Sequence, residues 1–446
     1  MRSIRVYLTA LIAVLTGFVL IGGMASPAVA KSKSAKQKVA KLKKAPKVTS
    51  AAPYTAGGSV GDAFVKDATP GTKLLLVNKK RKVVRTGKAD SYGSFIFYDV
   101  KPGATFTVRT KTGTVKKKVK KTRKQRRKCK KIKKKGKRKA CLKKKVKRKV
   151  AVGQGTPKFQ VLKPGENPPA AFYGNKQLKQ GLNYVTMRDG TELAMTVRLP
   201  LGKTMAQGPF PTFIEYSGYQ TAAPHDLLAG LIGGAAGAND DLAPASSTAV
   251  GALIGPLLDF ATVSVQMRGS GCSGGAFDLF GWPTTYDGYD AIETVAAQPW
   301  VKGKVGMGGI SFSGITQLFT AGTRPPSLAA VAPLSVTDDM YSATGFPGGI
   351  FNSGFAYSWI TERAEDAKPA PEGGQPWARE MSTNGDPQVS DPALREQQKQ
   401  HCLNNQRMRL QTRDYNHLIE TNPYRTPELF DKRSPGAWVK DIDVPI

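Results

Sequence analysis

From about residue 51 to residue 112, short apolar runs alternate with polar residues, a pattern typical of half-buried β-strands. Clusters of Gly, Pro, Asp and Ser separate these runs and mark turns. Strands that are short and evenly spaced indicate a small all-β sandwich over residues 51–112, and nothing in it indicates catalysis. The predicted strands are 73–77, 82–86, 94–98 and 105–109.

Strand and helix patterns alternate from residue 153 to residue 335. The first two runs flank Asp189-Gly190 and predict a hairpin on a tight turn. Strands that alternate with helices predict a mostly parallel sheet covered on both faces, so we expect an α/β fold over residues 153–446. The predicted strands are 184–187, 192–199, 211–216, 261–267, 304–309 and 329–335; the predicted helices are 286–298 and 313–321, with a weakly helical insert at 226–258.

The strand pattern stops between residues 337 and 435, where helical patterns appear at 354–367 and 391–403. Asp391 is placed to be the N-cap of the second helix, with Pro392 at its first position. A helical insertion here is expected to form a cap over the carboxyl ends of the strands, where sites in such sheets lie. Residues 442–446 have the pattern of the start of a further strand.

Charge is concentrated in two segments and changes this picture only locally. The net charge is +36, but residues 116–149 contain 24 Lys and Arg and no acid, and residues 31–47 contain 8 more. We predict basic linkers at 31–50 and 113–152, the first disordered and the second a solvated spacer. The alternative for the second is adhesion to a polyanion such as a cell-wall phosphate polymer or an anionic membrane face. A nucleic-acid partner is not expected, because the run lacks aromatic residues for base stacking.

The N-terminal residues have the pattern of a secretory signal peptide. Arg2 and Arg5 precede an apolar stretch, and Ala28-Val29-Ala30 has small residues at the cleavage positions. We predict a signal peptide over residues 1–30, cleaved after Ala30, and a secreted or cell-surface protein. The alternative is a retained membrane anchor, which the short apolar stretch disfavours.

Four cysteines fit an exported chain in which disulfides persist. Three pairings are possible. In one, Cys129 with Cys141 closes a small loop in the basic segment, and Cys272 with Cys402 joins a loop at the sheet edge to a later helix. Neither the spacing of the cysteines nor the histidines suggest zinc.

Residues 305–318 read as an apolar strand, a cluster of small residues around a serine, and a helix. This layout is that of a nucleophile elbow, in which the residues two before and two after the nucleophile must be small. Gly309 and Ser313 meet that requirement around Ser311, which is the candidate nucleophile. The alternative is an ordinary Gly/Ser-rich connection.

Five sequence blocks, in this order, resemble the cocaine-esterase / Xaa-Pro dipeptidyl-peptidase family of α/β-hydrolases. The family resemblance runs from about residue 183 onward. The blocks are Met187-Arg188-Asp189-Gly190-Thr191, Glu215-Tyr216-Ser217-Gly218-Tyr219, Arg268-Gly269-Ser270-Gly271-Cys272-Ser273-Gly274-Gly275, Asp287-Gly288-Tyr289-Asp290, and the stretch from Gln298-Pro299-Trp300 through Gly314.

The resemblance implies a serine hydrolase of ester or peptide bonds, with Ser311 as the nucleophile of an acyl-enzyme. It also implies two oxyanion donors, the backbone N–H of Phe312 and the hydroxyl of Tyr219, with Tyr216 as the fallback. Arg268 is read as structural, paired with a carboxylate. No metal or cofactor is implied. A dipeptidyl-peptidase should also hold the substrate's amine with acidic residues, and the cap offers Glu362, Glu365 and Asp366.

The chain departs from the family in one respect. The family's catalytic aspartate follows the strand predicted at 442–446, and its histidine comes later still. His225, His401 and His417 are poor substitutes, because they lie in the insert or in the cap. We therefore expect an incomplete triad in these residues, truncated before the Asp and His. The second hypothesis is a non-catalytic surface protein held on polyanions by its basic segments.

Overall fold

The computed structural model describes residues 44–119, 121–226, 240–244 and 249–446. The predicted signal peptide and residues 31–43 of the first basic segment lie outside these residues, as does much of the predicted insert at 226–258. Within the described ranges, no helix combines the length and the apolar character that crossing a bilayer requires.

Nine strands form the N-terminal β-module, in two sheets that share one core. One sheet has the order β1-β8-β7-β4-β5 with β9 beside β7, and the other has the order β2-β3-β6. Side chains such as Val65, Leu74, Phe97 and Val108 fill the space between them. All four predicted strands are confirmed. The strands are β1 (Lys47–Ala51), β2 (Thr55–Gly58), β3 (Ala63–Lys66), β4 (Lys73–Asn78), β5 (Val83–Lys88), β6 (Phe95–Phe97), β7 (Thr105–Val119), β8 (Val146–Gly155) and β9 (Phe159–Gln160).

The second basic segment, residues 113–152, is called the basic arm. It is not the solvated spacer predicted from its composition, since β7 and β8 pair antiparallel as far as Val119 and Val146. Two helices, α1 (Arg123–Lys130) and α2 (Lys135–Lys143), connect the strands, and the Cys129–Cys141 disulfide joins them. Lysine repulsion did not prevent this structure, because a strand ladder is held by backbone hydrogen bonds that need no acidic partner. Likewise, β1 takes up part of the predicted linker 31–50 and pairs with β8.

The second sheet system has six strands in the order β10-β11-β13-β12-β14-β15. The first two form the predicted antiparallel hairpin, and the neighbours from β13 to β15 are parallel. Each predicted strand from 184 to 335 is confirmed. The strands are β10 (Gly181–Thr186), β11 (Glu192–Arg198), β12 (Thr212–Ser217), β13 (Ala261–Gln266), β14 (Val305–Ile310) and β15 (Leu328–Leu334). This is the predicted α/β-hydrolase fold.

Helices cover this sheet and form the cap above it. The cap helices α7 and α9 were predicted, and Asp391 caps α9 by accepting from the Ala393 N–H at 2.9 Å. The helices are α3 (Ala170–Gly174), α4 (Val250–Ile254), α5 (Trp282–Ala296), α6 (Phe312–Gly322), α7 (Phe355–Asp366), α8 (Pro376–Thr383), α9 (Pro392–Asn405), α10 (Tyr415–Glu420) and α11 (Pro427–Phe430). Short 3-10 or π turns occupy Met205–Gln207, Gly255–Leu258, Met340–Gly345, Pro347–Gly349, Gln406–Gln411, Asp431–Arg433, Pro435–Ala437 and Val439–Asp441.

Residues 442–446 do not form the strand that was predicted for them. A backbone bond from the Val331 N–H to the Pro445 carbonyl at 3.0 Å holds this segment beside β15, and Ile442 and Val444 pack against the core. Proline has no N–H to donate, so Pro445 can accept in a ladder but cannot continue one.

The second disulfide, Cys272–Cys402, is formed as hypothesised. It joins the loop after β13 to α9, inside a buried cluster around Trp377. The β-module also contacts the cap: the Tyr98 hydroxyl donates to the Gln411 carbonyl at 2.6 Å. The domain limits stay predictions, but the β-module and the cap are in contact.

Candidate active site

The backbone at Ser311 has the shape of a nucleophile elbow. Ser311 lies between β14 and α6 with φ 59° and ψ −115°, a conformation that residues other than glycine rarely adopt. The turn is held because the Ser311 N–H donates to the Leu334 carbonyl at 2.9 Å. A Cβ added at Gly309 would lie 2.6 Å from the Ser313 Cβ, so the small residue predicted at this position is required by space.

Tyr219 brings its hydroxyl to Ser311. It follows the carboxyl end of β12, where its N–H donates to the Ser217 hydroxyl at 3.0 Å and its ring packs edge-on against Phe312. The Tyr219 oxygen lies 3.2 Å from the Ser311 Oγ. The structure therefore places together two side chains that are 92 residues apart in sequence. Tyr216, the fallback, is engaged elsewhere, because its hydroxyl donates to the Thr284 carbonyl at 2.8 Å.

The cap helix α7 sets the direction of the Tyr219 hydroxyl. The Trp359 indole N–H donates to the Tyr219 oxygen at 3.0 Å. An indole N–H can only donate, so the tyrosine oxygen is the acceptor and its own proton is left to point elsewhere, with Ser311 in reach. One turn along α7, the Arg363 guanidinium lies 4.9 Å from the centre of the Tyr219 ring.

Sequence reasoning missed Trp359 and Arg363. Their spacing of four residues puts both on one face of a helix, and this was the one signal that the sequence carried. It did not show which part of the site that face meets.

Phe312 begins α6, so its backbone N–H has no acceptor within the helix. Such a free N–H, at the positive end of the helix dipole, is suited to an oxyanion. The Phe312 side chain is fully buried and contacts the rings of Phe280 and Trp359, with centres 5.2 and 5.1 Å away. The ring thereby anchors the first turn of the helix in the core and under the cap.

A buried carboxyl lies beneath the elbow. Glu215 on β12 accepts from the Gly251 N–H at 3.0 Å and from the Ser313 hydroxyl at 3.4 Å. Burial raises the pKa of Glu215 to about 8, against the lowering effect of these hydrogen bonds and of Arg198. At neutral pH, Glu215 is therefore mostly a neutral acid that supports the elbow from behind.

Arg268 is structural, as predicted. Its guanidinium bonds Asp287 through Nε at 2.6 Å and Asp189 through Nη1 at 2.9 Å. One cation thus joins the loop after β13, helix α5 and the β10–β11 turn.

Two of the three histidines contact side chains other than Ser311. His225 lies between Asp240 and Asp386, with ring-nitrogen distances of 2.7 and 3.0 Å. Burial alone would lower the pKa of His225, but its bonds to the two carboxylates outweigh burial and raise it. The His401 ring packs against Tyr184, and His417 lies in α10.

The acidic residues predicted to hold a substrate amine bind cations of their own chain. Arg363 contacts Asp366 at 2.9 Å and Glu362 at 3.6 Å. Glu365 pairs with Lys368. Only Asp366 of the three is mostly buried, and it reaches the site through the arginine that lies over Tyr219.

Comparison with known proteins gives the family of the chain. The sequence profile of the X-Pro dipeptidyl-peptidase family (S15) matches residues 189–433, more than half of the chain. The "Putative serine esterase" of Mycobacterium bovis is 31% identical over 182 residues, which are 40% of this chain and 27% of that protein. The cocaine esterase of a Rhodococcus species is 29% identical over 197 residues, 42% of this chain and 30% of that protein.

Among solved structures, a CocE/NonD family hydrolase from Staphylococcus aureus has 21% identity and a TM-score of 0.39, covering 59% of this chain and 39% of the other. The matched regions are less than a third of the length of the Mycobacterium bovis and Rhodococcus esterases. The profile covers the hairpin turn, the elbow and the cap, which are the parts that build the geometry around Ser311. The chain belongs to the X-Pro dipeptidyl-peptidase (S15) family, whose members are hydrolases of ester and peptide bonds.

Proposed function

We propose that this protein is an exported serine hydrolase that cleaves ester or peptide bonds through an acyl-enzyme on Ser311, in the manner of an Xaa-Pro dipeptidyl-peptidase. The observation that carries the proposal is the 3.2 Å contact between the Tyr219 hydroxyl and the Ser311 Oγ. The Trp359 indole N–H donates to the Tyr219 oxygen. The proton of the Tyr219 hydroxyl can therefore be donated to a substrate oxygen bound at Ser311.

In the proposed reaction, the Ser311 oxygen attacks the substrate carbonyl and gives up its proton to a base. The carbonyl oxygen becomes negative and accepts from the Tyr219 hydroxyl and the Phe312 N–H. Collapse of this intermediate expels the alcohol or amine, which takes up the proton, and water then hydrolyses the acyl-enzyme. The Asp and His that orient and carry this proton stay a prediction from the family resemblance.

A fluorophosphonate probe on the protein expressed from its complete gene tests this function. Labelling should map to Ser311 and disappear in Ser311→Ala, with a loss of turnover on the order of 10⁶. Ser353→Ala, at an exposed serine in the cap, is the matched control and should keep full labelling. Labelling that persists in Ser311→Ala would contradict the assignment.

Substrate class needs a second measurement. A dipeptidyl-peptidase should cleave an Xaa-Pro anilide faster when its N-terminal amine is free than when it is acetylated, because the amine is then held as a cation. Equal rates on the two anilides, with faster cleavage of a simple aryl ester, would assign the protein as an esterase.

The second candidate function is a non-catalytic protein of the cell surface. The observations that favour it are that His225 is held between two carboxylates and that the His401 ring packs against Tyr184. If the fluorophosphonate probe does not label the wild-type protein, the result would favour this non-catalytic function. Export is tested by N-terminal sequencing of the mature protein, which should begin at Lys31.

A further inference from the structure

The basic arm is a two-stranded ribbon whose rungs place cations opposite each other. Beyond Gly113, β7 and β8 pair Lys116 with Lys149, Lys117 with Arg148 and Lys118 with Lys147. Like charges directly opposite on neighbouring strands destabilise a sheet. Three such rungs in succession are thus a cost to folding that an external anion would remove.

One face of this ribbon carries only lysines over these rungs. Because side chains alternate between the faces of a strand, Lys116 and Lys118 share a face with Lys147 and Lys149, and all four are exposed. Neighbours along one strand are about 7 Å apart and neighbours across the ribbon about 5 Å. We call this surface the four-lysine face. The opposite face includes Val115 and Val150, which are half-buried.

The charge of the arm has no counter-charge nearby in the chain. No acidic residue occurs between Asp99 and Glu166. In the part of the chain that the structure describes, no ion pair involves residues 113–152. A hydrogen bond with Lys47, together with the charge of Lys47, lowers the pKa of the exposed Lys117. The anions that neutralise this surface must therefore come from outside the protein.

Specific contacts hold the far end of the arm together in spite of this repulsion. The Cys129–Cys141 disulfide joins α1 to α2, and Thr122 caps α1 in a reciprocal capping box with Gln125. The Lys121 ammonium donates to the Lys144 carbonyl at 3.0 Å and so satisfies the end of α2. A basic segment held in this way loses less conformational entropy on binding than a flexible one.

The chemistry of the arm selects among polyanions. Residues 107–158 contain no aromatic side chain, so bases cannot stack on the arm and no Trp or Tyr can anchor it at a membrane interface. Ile132 and Leu142, at its far end, are half-buried and provide no exposed apolar wedge. Lysines, which outnumber arginines here, bind phosphate as mobile point charges. We propose that the basic arm is a preformed binding site for a linear phosphate polymer, with the four-lysine face as its centre.

Binding of inorganic polyphosphate to the full-length protein, between ~50 and ~200 mM salt, tests the proposal. We compare K116Q/K118Q/K147Q/K149Q with the control K203Q/K302Q/K304Q/K440Q, which removes four exposed lysines from the hydrolase part. Both variants lose the same net charge. The arm variant should bind at least about tenfold more weakly, and its log–log salt slope should fall by about 3, as expected for four fewer contacts to a single-stranded polymer.

Equal losses in the two variants would overturn the proposal, because net charge alone would then explain binding. Tighter binding of oligo-dT than of polyphosphate with the same number of phosphates would indicate a nucleic acid instead. Tighter binding of phosphatidylglycerol vesicles would indicate a membrane.

A second variant tests whether the site is preformed. Cys129→Ser combined with Cys141→Ser keeps every charge but removes the disulfide. We expect this variant to bind several-fold more weakly, with an unchanged salt slope. Unchanged affinity would contradict a preformed site. Ester hydrolysis, measured on the same samples, reports separately on the proposed function and should be equal in all of these variants.

Discussion

Around Ser311, backbone segments approach so closely that Gly309 has no room for a Cβ, whereas Gly113 and Gly136 in the basic arm have no atom within 4 Å of that position. The elbow lies in a packed core, with the Phe312 ring fully buried behind it. The helices of the arm expose most of their side chains. One region is specified by close packing and the other by strand pairing and a cross-link.

The two disulfides show the same contrast. Cys272–Cys402 closes a separation of 130 residues and lies in a cluster that already buries Trp377. Cys129–Cys141 closes a separation of 12 residues, and neither helix that it joins buries any side chain except that of Cys129. In the first case the disulfide adds to a core, and in the second it takes the place of one.

This difference predicts how each region responds to substitution. Function at the elbow depends on single atoms in fixed positions, so one substitution there should have a large effect. The arm acts through the number and arrangement of many similar charges, so single substitutions there should have small effects. The experiments that follow test this contrast at the elbow and then between the two regions.

After loss of the nucleophile itself, the largest effect is expected for Tyr219→Phe. The ring contacts with Phe312 and Arg363 remain, but the hydroxyl 3.2 Å from the Ser311 Oγ is lost. Removing one oxyanion donor costs about 10²–10³ in kcat. We expect a fall of this size in kcat with little change in KM, measured on an aryl ester with the protein from its complete gene.

Tyr216→Phe is the matched control, because it also removes a tyrosine hydroxyl, at a position three residues before Tyr219. Its hydroxyl bonds the Thr284 carbonyl within the core, so the variant should lose about 1 kcal/mol of stability and keep its kcat. Equal falls in kcat for the two variants would mean that Tyr219 acts through the fold and not on the reacting oxygen.

The elbow could be predicted from sequence because its requirements are local. A strand, a helix and small residues at Gly309 and Ser313 can all be read within 14 residues, and the structure has each of them. The contact between Trp359 and Tyr219 could not be predicted in this way. It joins residues 140 positions apart through a cap whose orientation no local pattern determines.

The arm was predicted wrongly for the opposite reason. The lysine-rich composition of the whole segment indicates a solvated spacer, and the few valines are a weak signal against it. Valines at 115, 146 and 150 fall on one face of the paired strands, which is a strand signal that the lysines between them obscured. The Cys129–Cys141 disulfide adds to the order of the arm, but the sequence leaves it as one of three possible pairings.

A second test concerns Glu215, whose carboxyl is buried behind the elbow. Its pKa is raised to about 8 by burial, so the folded protein keeps a proton that the unfolded chain loses above pH ~4.5. Glu215 therefore lowers stability increasingly as pH rises from about 4.5 to about 8. Glu215→Gln, which stays neutral, should gain stability relative to wild type across this range, by at most about 1.4 kcal/mol for each pH unit.

The measurement is the difference in unfolding free energy between Glu215→Gln and wild type at each pH. The difference is needed because burial also raises the pKa values of Asp62 and Asp287 to about 7, and these groups titrate in both proteins. The amide can still accept from the Gly251 N–H and donate to the Ser313 hydroxyl. A difference that does not vary with pH would show that Glu215 is ionised in the folded protein.

The smallest effect comes from adding one methyl group to each region. Gly309→Ala would force its Cβ against Ser313 and should lower the stability of the folded protein by about 2 kcal/mol. Gly136→Ala, in the open helix α2, should stabilise that helix by at most ~1 kcal/mol.

All five tryptophans lie between residues 282 and 438, so tryptophan fluorescence during urea unfolding reports on the hydrolase part, while circular dichroism also includes the arm. The fluorescence midpoint should fall for Gly309→Ala and stay unchanged for Gly136→Ala. A neutral Gly309→Ala would show that the elbow backbone can relax around a side chain, and the contrast between the two regions would then be one of exposure alone.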